Sequence, residues 1–238
     1  MKNKHTILTV LFCFVFIILF SFTFFYFFYD INRTVVLSKN FSEFPVIIVD
    51  AGHGGEDGGA IALDNSAEKN YNLDIALRLQ KILSLNGYNV IMTRSDDVMT
   101  CDEGLKTIRS KKVSDIRNRF KIIESNPDAV FVSIHQNKFS DTTQHGTQVF
   151  YSGNNSESNV LADSIQKTVV ENIQPDNKRQ TKKSGTEIFL LYHSEIPSVL
   201  VECGFISNNE DLQKLKTEEY KLQMAMLIAD GIIKYKGD

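Results

Sequence analysis

The chain has 238 residues, 42% of them hydrophobic, and its 26 basic and 29 acidic side chains give a net charge of −3. That balance excludes the broad basic face a phosphate backbone requires, so nucleic acid is not an expected partner. Three cysteines (Cys13, Cys101 and Cys203) are too few for a disulfide framework, and no Cys-x-x-Cys pair points to a structural zinc.

Residues 7–29 carry no charge and are dense in Phe, Ile and Leu. A helix over this stretch, rising ~1.5 Å per residue, measures about 35 Å against a hydrocarbon core of ~30 Å. Lys2 and Lys4 precede it and Asp30 follows, which keeps the N-terminus cytoplasmic and exports the rest. A cleaved secretory signal is the competing reading. It calls for a shorter apolar core and a small-residue cleavage site, whereas this stretch ends Phe24-Phe25-Tyr26-Phe27-Phe28-Tyr29. The expected organisation is a cytoplasmic tip (1–6), a transmembrane signal-anchor (7–29), a polar tether (30–44) and one extracytoplasmic domain (45–238). Beyond the anchor, 24 basic residues face 29 acidic ones.

Within the domain, strand and helix patterns alternate. Pro45–Asp50 reads as a buried strand, and Glu68–Leu83 as a helix with Leu73, Ala76, Leu77, Leu79, Ile82 and Leu83 at helical spacing, stopped by Asn86-Gly87. Tyr88–Thr93 is a second strand and Lys106–Glu124 a charged amphipathic helix. Asn126-Pro127-Asp128 turns the chain into a third strand, Ala129–Ile134. Gly146–Tyr151 alternates as a half-exposed strand does, and Ser156–Ile173 has Val160, Leu161, Ile165, Val169 and Ile173 on its inward side. The polar stretch Gln174–Ser184, with Lys178, Arg179, Lys182 and Lys183, reads as a mobile loop. The segment Thr186–Tyr192, strand Ser198–Cys203 and helices Glu210–Lys216 and Glu219–Tyr235 complete the chain. The expected fold is α/β: a single domain with a mixed, mostly parallel twisted sheet flanked by helices, its site at the carboxyl ends of the strands.

The first strand runs into Asp50-Ala51-Gly52-His53-Gly54-Gly55-Glu56-Asp57-Gly58-Gly59, where glycines clear the space around one imidazole. His135 closes the third strand, and Glu68 opens the first helix. Two histidines and a carboxylate from separate elements are the ligand composition of a catalytic zinc whose fourth position is open. Glu68 alone also suits a helix N-terminus, where the dipole favours a carboxylate. Glu202 interrupts the apolar run Ser198-Val199-Leu200-Val201-Glu202-Cys203-Gly204-Phe205. Beside a metal and its water it would act as general base; the alternative is a buried salt bridge. Strand alternation turns Cys203 to the opposite face as a packed thiol. His145 and His193 read as surface or substrate-contacting residues. The glycine-rich turn lacks the Gly-Lys-Ser/Thr of a phosphate loop.

Five ordered motifs resemble those of the zinc-dependent N-acetylmuramoyl-L-alanine amidases of the type-3 amidase family. They are Val49–Gly55, Glu68 with Asn72-Leu73-Asp74-Ile75-Ala76, Thr93–Asp97, Phe131–Asn137 and Pro197–Asn208. The resemblance covers residues 45–236. It implies Zn2+ held by His53, Glu68 and His135, catalysis by Glu202, and hydrolysis of the amide between N-acetylmuramic acid and L-alanine of peptidoglycan. Gln136 and Tyr192-His193 depart from the common family pattern. Gln136, Asn137 and His193 are accordingly candidates for contact with the glycan strand and its stem peptide. One anchor and one catalytic domain resemble the layout of germination-specific spore-cortex amidases, which prepare muramic acid for conversion to muramic-δ-lactam. A vegetative autolysin and a non-catalytic wall-binding protein on the same scaffold are the alternatives, and a carbohydrate deacetylase is disfavoured by the missing His-x-x-x-His pair. An extracytoplasmic regulatory protein is a further expected partner.

Overall fold

The computed structural model describes residues 12, 14–24, 26 and 46–237 of the chain. The chain divides into two units, Met1–Glu43 and Phe44–Asp238. In the first, residues 14–24 are helical, with apolar side chains exposed from Phe14 to Phe24. Among the described residues no helix is long and apolar enough to cross a membrane. The expected span 7–29 lies partly outside the described residues, and the tip and tether lie wholly outside them.

In the second unit a run of β-branched residues opens strand β1, Val46–Ala51. The strands that follow are β2 (Asn89–Met92), β3 (Val130–Asn137), β4 (Gln148–Tyr151), β5 (Lys182–Lys183) and β6 (Ser198–Phe205). They form one six-stranded sheet in the order β2-β1-β3-β6-β4-β5. The first four in that order are parallel; β4 runs antiparallel to β6, and β5 is parallel to β4. The helices are α1 (Glu68–Leu85), α2 (Ile108–Glu124), α3 (Glu157–Ile173), α4 (Phe189–His193), α5 (Asn209–Leu215) and α6 (Glu218–Gly237).

Alternation along the strands sorts the core into two layers. Ile47, Val49, Val132, Ile134, Val199, Val201 and Cys203 face Ile75 and Leu79 of α1, Leu161 and Ile165 of α3, and Met224 and Ile228 of α6. The opposite residues, Ile48, Phe131 and Leu200, meet Ile123 of α2 and Leu190 and Leu191 of α4. Burying each such side chain contributes ~1.5–3 kcal/mol. Cys203 is fully buried among the first set, as its position in the strand implied.

Two expectations change. β3 runs on to Asn137 instead of ending at Ile134, because its pairing with β6 continues as far as Asn137 opposite Phe205. The stretch 174–184 is held down rather than loose. Lys182 and Lys183 pair with Phe150 and Tyr151, and the buried Asn177 donates to Thr147 O and Gln174 Oε1. Gln174 in turn donates to the Thr147 and Tyr220 hydroxyls.

Candidate metal centre and active site

The site forms where β1, β3 and β6 end. β1 stops at Ala51, and His53 turns the chain with φ +62°, a left-handed conformation rarely taken by a residue with a side chain. Two buried guanidiniums hold the carbonyls of that turn. Arg119 of α2 donates to Ala51 O (2.7 Å) and His53 O (2.7 Å), and Arg94, just beyond β2, donates to Ala51 O (2.8 Å) and Gly52 O (3.1 Å). Arg119 also pairs with Asp50 (2.6 Å) and Asp115 (2.9 Å), so its charge is balanced inside the domain. Burial alone would lift the Asp50 carboxyl, yet Arg119, Ser133 and Thr93 hold it down to about 2.

The strained turn aims the His53 imidazole at Glu68. His53 Nε2 lies 3.3 Å from Glu68 Oε2, and His135 Nδ1 lies 2.8 Å from Glu68 Oε1. The two rings meet edge to face with centroids 5.0 Å apart. One ligand atom from each of the three residues falls within 4.8 Å of the other two. Glycines make room for this. A Cβ at Gly52 would lie 2.2 Å from His135 Nε2, and one at Gly59, where φ is +68°, would lie 2.6 Å from both Glu68 Oε2 and His53 Cδ2.

Supporting partners fix each donor. Asp57 Oδ2 holds His53 Nδ1 at 2.9 Å, while Asp57 Oδ1 accepts from Lys112 at 2.7 Å. Glu68 Oε1 accepts from Asn72 Nδ2 (3.1 Å) and Gln136 N (3.2 Å), and Oε2 from Ala60 N (2.8 Å). Burial opposes a charge on His53, but its bonds to Asp57 and Glu68 push the imidazole up to about 9. Burial likewise opposes the Glu68 charge, and the two histidines pull its carboxyl far below the usual carboxylate range. The ionised Glu68 and Asp57 carboxylates thus make the pocket attractive to a cation.

Nitrogen, oxygen and nitrogen donors suit zinc, whose arms of ~2.0–2.2 Å at tetrahedral angles set neighbouring donors roughly 3.3 Å apart. The His53 Nε2–Glu68 Oε2 separation matches that spacing, while His135 Nδ1 and Glu68 Oε1 sit closer, at hydrogen-bond distance. A carboxylate holding the far nitrogen of a metal-facing histidine, as Asp57 does, is the usual outer support of such ligands.

Glu202 stands opposite His135 in the β3–β6 pairing, so both side chains leave the same face of the sheet. Its Oε2 is enclosed and has no hydrogen-bond partner. Burial pushes the carboxyl up to about 7; His135 draws it down and the Glu68 charge adds to the rise. Among the described residues no Lys or Arg forms an ion pair with Glu202, the pairing expected of a purely structural carboxylate there.

The structure brings His53, Glu68, His135 and Glu202 together, with half-buried Asn137 on the same strand face as His135. It does not bring the other two candidates there. Gln136 is buried on the reverse face, where Nε2 donates to Asn72 Oδ1 at 3.3 Å, because β3 extends past His135 and alternation carries the next residue away. Gln136 therefore backs Glu68 through its main-chain N–H. His193 ends α4, packed on Phe189 with ring centroids 4.4 Å apart, beside Pro127 and Ile196. Those residues precede β3 and β6, so His193 lies at the opposite, amino-terminal edge of the sheet. Asp57 and Arg119 have no assigned role in the sequence reading, and Asn72 and Arg94 stand there only as motif positions without one. Asp57 carries a local signal too, as a carboxylate four residues after His53 inside the same glycine-rich turn, whereas Arg119 carries none.

The N-acetylmuramoyl-L-alanine amidase family model matches residues 47–234. The germination-specific N-acetylmuramoyl-L-alanine amidase of Bacillus subtilis is 34% identical over 196 residues, covering 81% of either chain. The CwlD amidase of Clostridioides difficile, solved in complex with the GerS lipoprotein, is 39% identical with a TM-score of 0.78, over 81% of this chain and 98% of that one. AmiC2 of Nostoc punctiforme, also an N-acetylmuramoyl-L-alanine amidase, is 32% identical with a TM-score of 0.69, over 82% and 98%. The chain belongs to the N-acetylmuramoyl-L-alanine amidase family and is an enzyme of that class, an amide hydrolase of peptidoglycan.

Proposed function

We propose that this enzyme is a zinc-dependent amidase that severs the bond between N-acetylmuramic acid and L-alanine in spore-cortex peptidoglycan, so that the freed muramic acid can close to muramic-δ-lactam. One observation carries the chemistry: His53, Glu68 and His135 converge from three elements while the enclosed Glu202 Oε2 beside them has no partner. His53, Glu68 and His135 would hold the zinc, which when bound would supply polarisation of the scissile carbonyl and a lowered pKa, ~7, for adjacent solvent.

The remaining work falls to the chain. Glu202 takes a proton from the attacking water and delivers it to the leaving amine of L-alanine, which needs a base of near-neutral pKa in a dry setting. Asp57 fixes the tautomer and direction of His53, and Asn72 with the Gln136 N–H does the same for Glu68. Arg94 and Arg119 keep the His53 turn in its strained form.

The cortex role draws on the likeness to the germination-specific enzyme of Bacillus subtilis. The lipoprotein complex of the Clostridioides relative supports an extracytoplasmic protein partner here as well. The uncharged stretch 7–29 supports a membrane anchor that leaves residues 45–238 outside as the catalytic domain. Purified protein incubated with isolated wall tests the reaction: new L-alanine amino termini support it, whereas free acetate or no release contradicts it. Muropeptides of cortex from a deletion strain test the role. Loss of muramic-δ-lactam supports it, and unchanged lactam points to a vegetative autolysin.

A further inference from the structure

The face that carries His135 and Glu202 continues onto β4. Gln148 pairs with Glu202 across the β4–β6 ladder, so its side chain leaves the sheet on the same side one strand spacing away, ~4.8 Å. Between His135/Glu202 and Asn137/Phe205, β6 spends one residue more than β3. That bulge brings Phe205 onto the same face as Glu202. Arg179, from the pinned stretch after α3, lies over both. Its guanidinium carbon is 4.5 Å from the Phe205 ring centre, and Nη1 donates to Gln148 Oε1 at 3.2 Å.

Arg179 is built in place. Nε donates to His145 O at 2.9 Å, Nη2 donates to Gln144 Oε1, and its own N–H is held by buried Asn177 Oδ1 at 3.0 Å. All of these acceptors are neutral. Among the described residues no carboxylate lies within ion-pair distance of it, although Asp176 lines the same groove of about 410 Å³. A guanidinium has five N–H groups and is always charged. Three are occupied here, and each terminal nitrogen keeps one. The charge is thus fixed in position, stacked on an aromatic ring beside the strand next to that of Glu202, and left without a counter-ion among the described residues.

We propose that Arg179 is the carboxylate subsite of this enzyme, receiving the free carboxylate of the stem-peptide residue that follows L-alanine. An extended peptide advances ~3.4 Å per residue. A carboxylate one to two residues from the scissile amide therefore falls one to two strand spacings from Glu202, on the side where Gln148 reaches out to Arg179. Gln148 and Phe205 are positioning residues for it. The assignment rests on the amidase reading.

The test compares peptidoglycans that differ only in the second stem residue, D-isoglutamate with a free carboxylate or D-isoglutamine with that group amidated. They are cleaved by the full-length wild type, Arg179→Gln and Arg179→Lys. Because the readout is the ratio of kcat/KM values within each protein, a loss of folded fraction cancels. Wild type is expected to favour the free carboxylate by about tenfold or more, the range of a charge-assisted hydrogen bond. Arg179→Gln brings the ratio near unity, and Arg179→Lys retains part of it. A wild type indifferent to amidation, or an Arg179→Gln enzyme with the wild-type ratio, overturns the subsite. Failure of wild type to release amino termini from either wall overturns the amidase reading itself.

Discussion

Replacing Arg119 with methionine is the sharpest test of how the site is held. Arg119 is 2% exposed and Asp50 is 1% exposed, so solvent cannot replace one for the other. The thioether side chain would keep much of the volume but strip two carboxylates of their counter-charge, and Ala51 O and His53 O of a donor. Breaking a buried pair from one side costs about 3–5 kcal/mol, since the remaining charge stays buried. At ~2–4 °C per kcal/mol for a domain of this size, Tm should fall by roughly 6–20 °C. Adding Asp50→Asn removes the stranded charge and should return about 1–3 kcal/mol, a coupling visible in a double-mutant cycle followed by denaturant unfolding. Zinc affinity should drop in both variants, because the His53 turn has lost its clamp. An Arg119→Met protein within about 1 kcal/mol of wild type, or a double variant no more stable than the single one, would refute this reasoning.

Other consequences follow from the same geometry. Asp50 is held at about 2, below its ordinary 3.8, so its share of stability is complete above pH ~4 and lost as pH falls through about 2. That share is about 2 kcal/mol in wild type; in Arg119→Met the stranded Asp50 carboxyl takes up its proton on acidification as Asp50→Asn mimics, so the stability gap between variant and wild type should narrow as pH falls towards about 4 in denaturant unfolding. Gly52→Ala puts a methyl 2.2 Å from His135 Nε2 and should cut activity about 100-fold at a Tm cost far below that of Arg119→Met, by calorimetry beside a wall-digestion assay. Asp57→Asn keeps the shape but not the charge behind His53, so zinc affinity measured against a chelator should fall about 10–100-fold. Glu202→Gln should hold zinc as wild type does while losing roughly 10²–10⁴-fold in hydrolysis, and equal turnover would end its assignment.

Much of this was legible in the sequence because it was local. β-branched runs ending in glycine and histidine fix His53 at a strand end, and an acid inside Val199–Phe205 is conspicuous wherever it folds. What escaped notice depends on contacts between distant segments. Nothing around Arg119 distinguishes it from Arg117 or Lys121 on a charged helix; only the return of α2 beneath β1 puts it 2.6 Å from Asp50. Arg179 sat in a stretch read as loose, and its register against Gln148 depends on the short β4–β5 pairing. Gln136 was misplaced for a simpler reason: a strand a few residues longer than its apolar run turned the side chain to the other face. His193 followed its neighbours in the motif, whereas α4 delivers it to the far edge of the sheet.

Three side chains, His53, Glu68 and His135, are set to share one cation, and the zinc-to-protein ratio measures that directly. Purified wild type, dialysed against trace zinc, should retain a single ion per chain, and His53→Ala, Glu68→Ala and His135→Ala should each lose it while remaining folded by circular dichroism. Stoichiometric zinc in the folded His135→Ala protein would place the ion elsewhere and contradict the account.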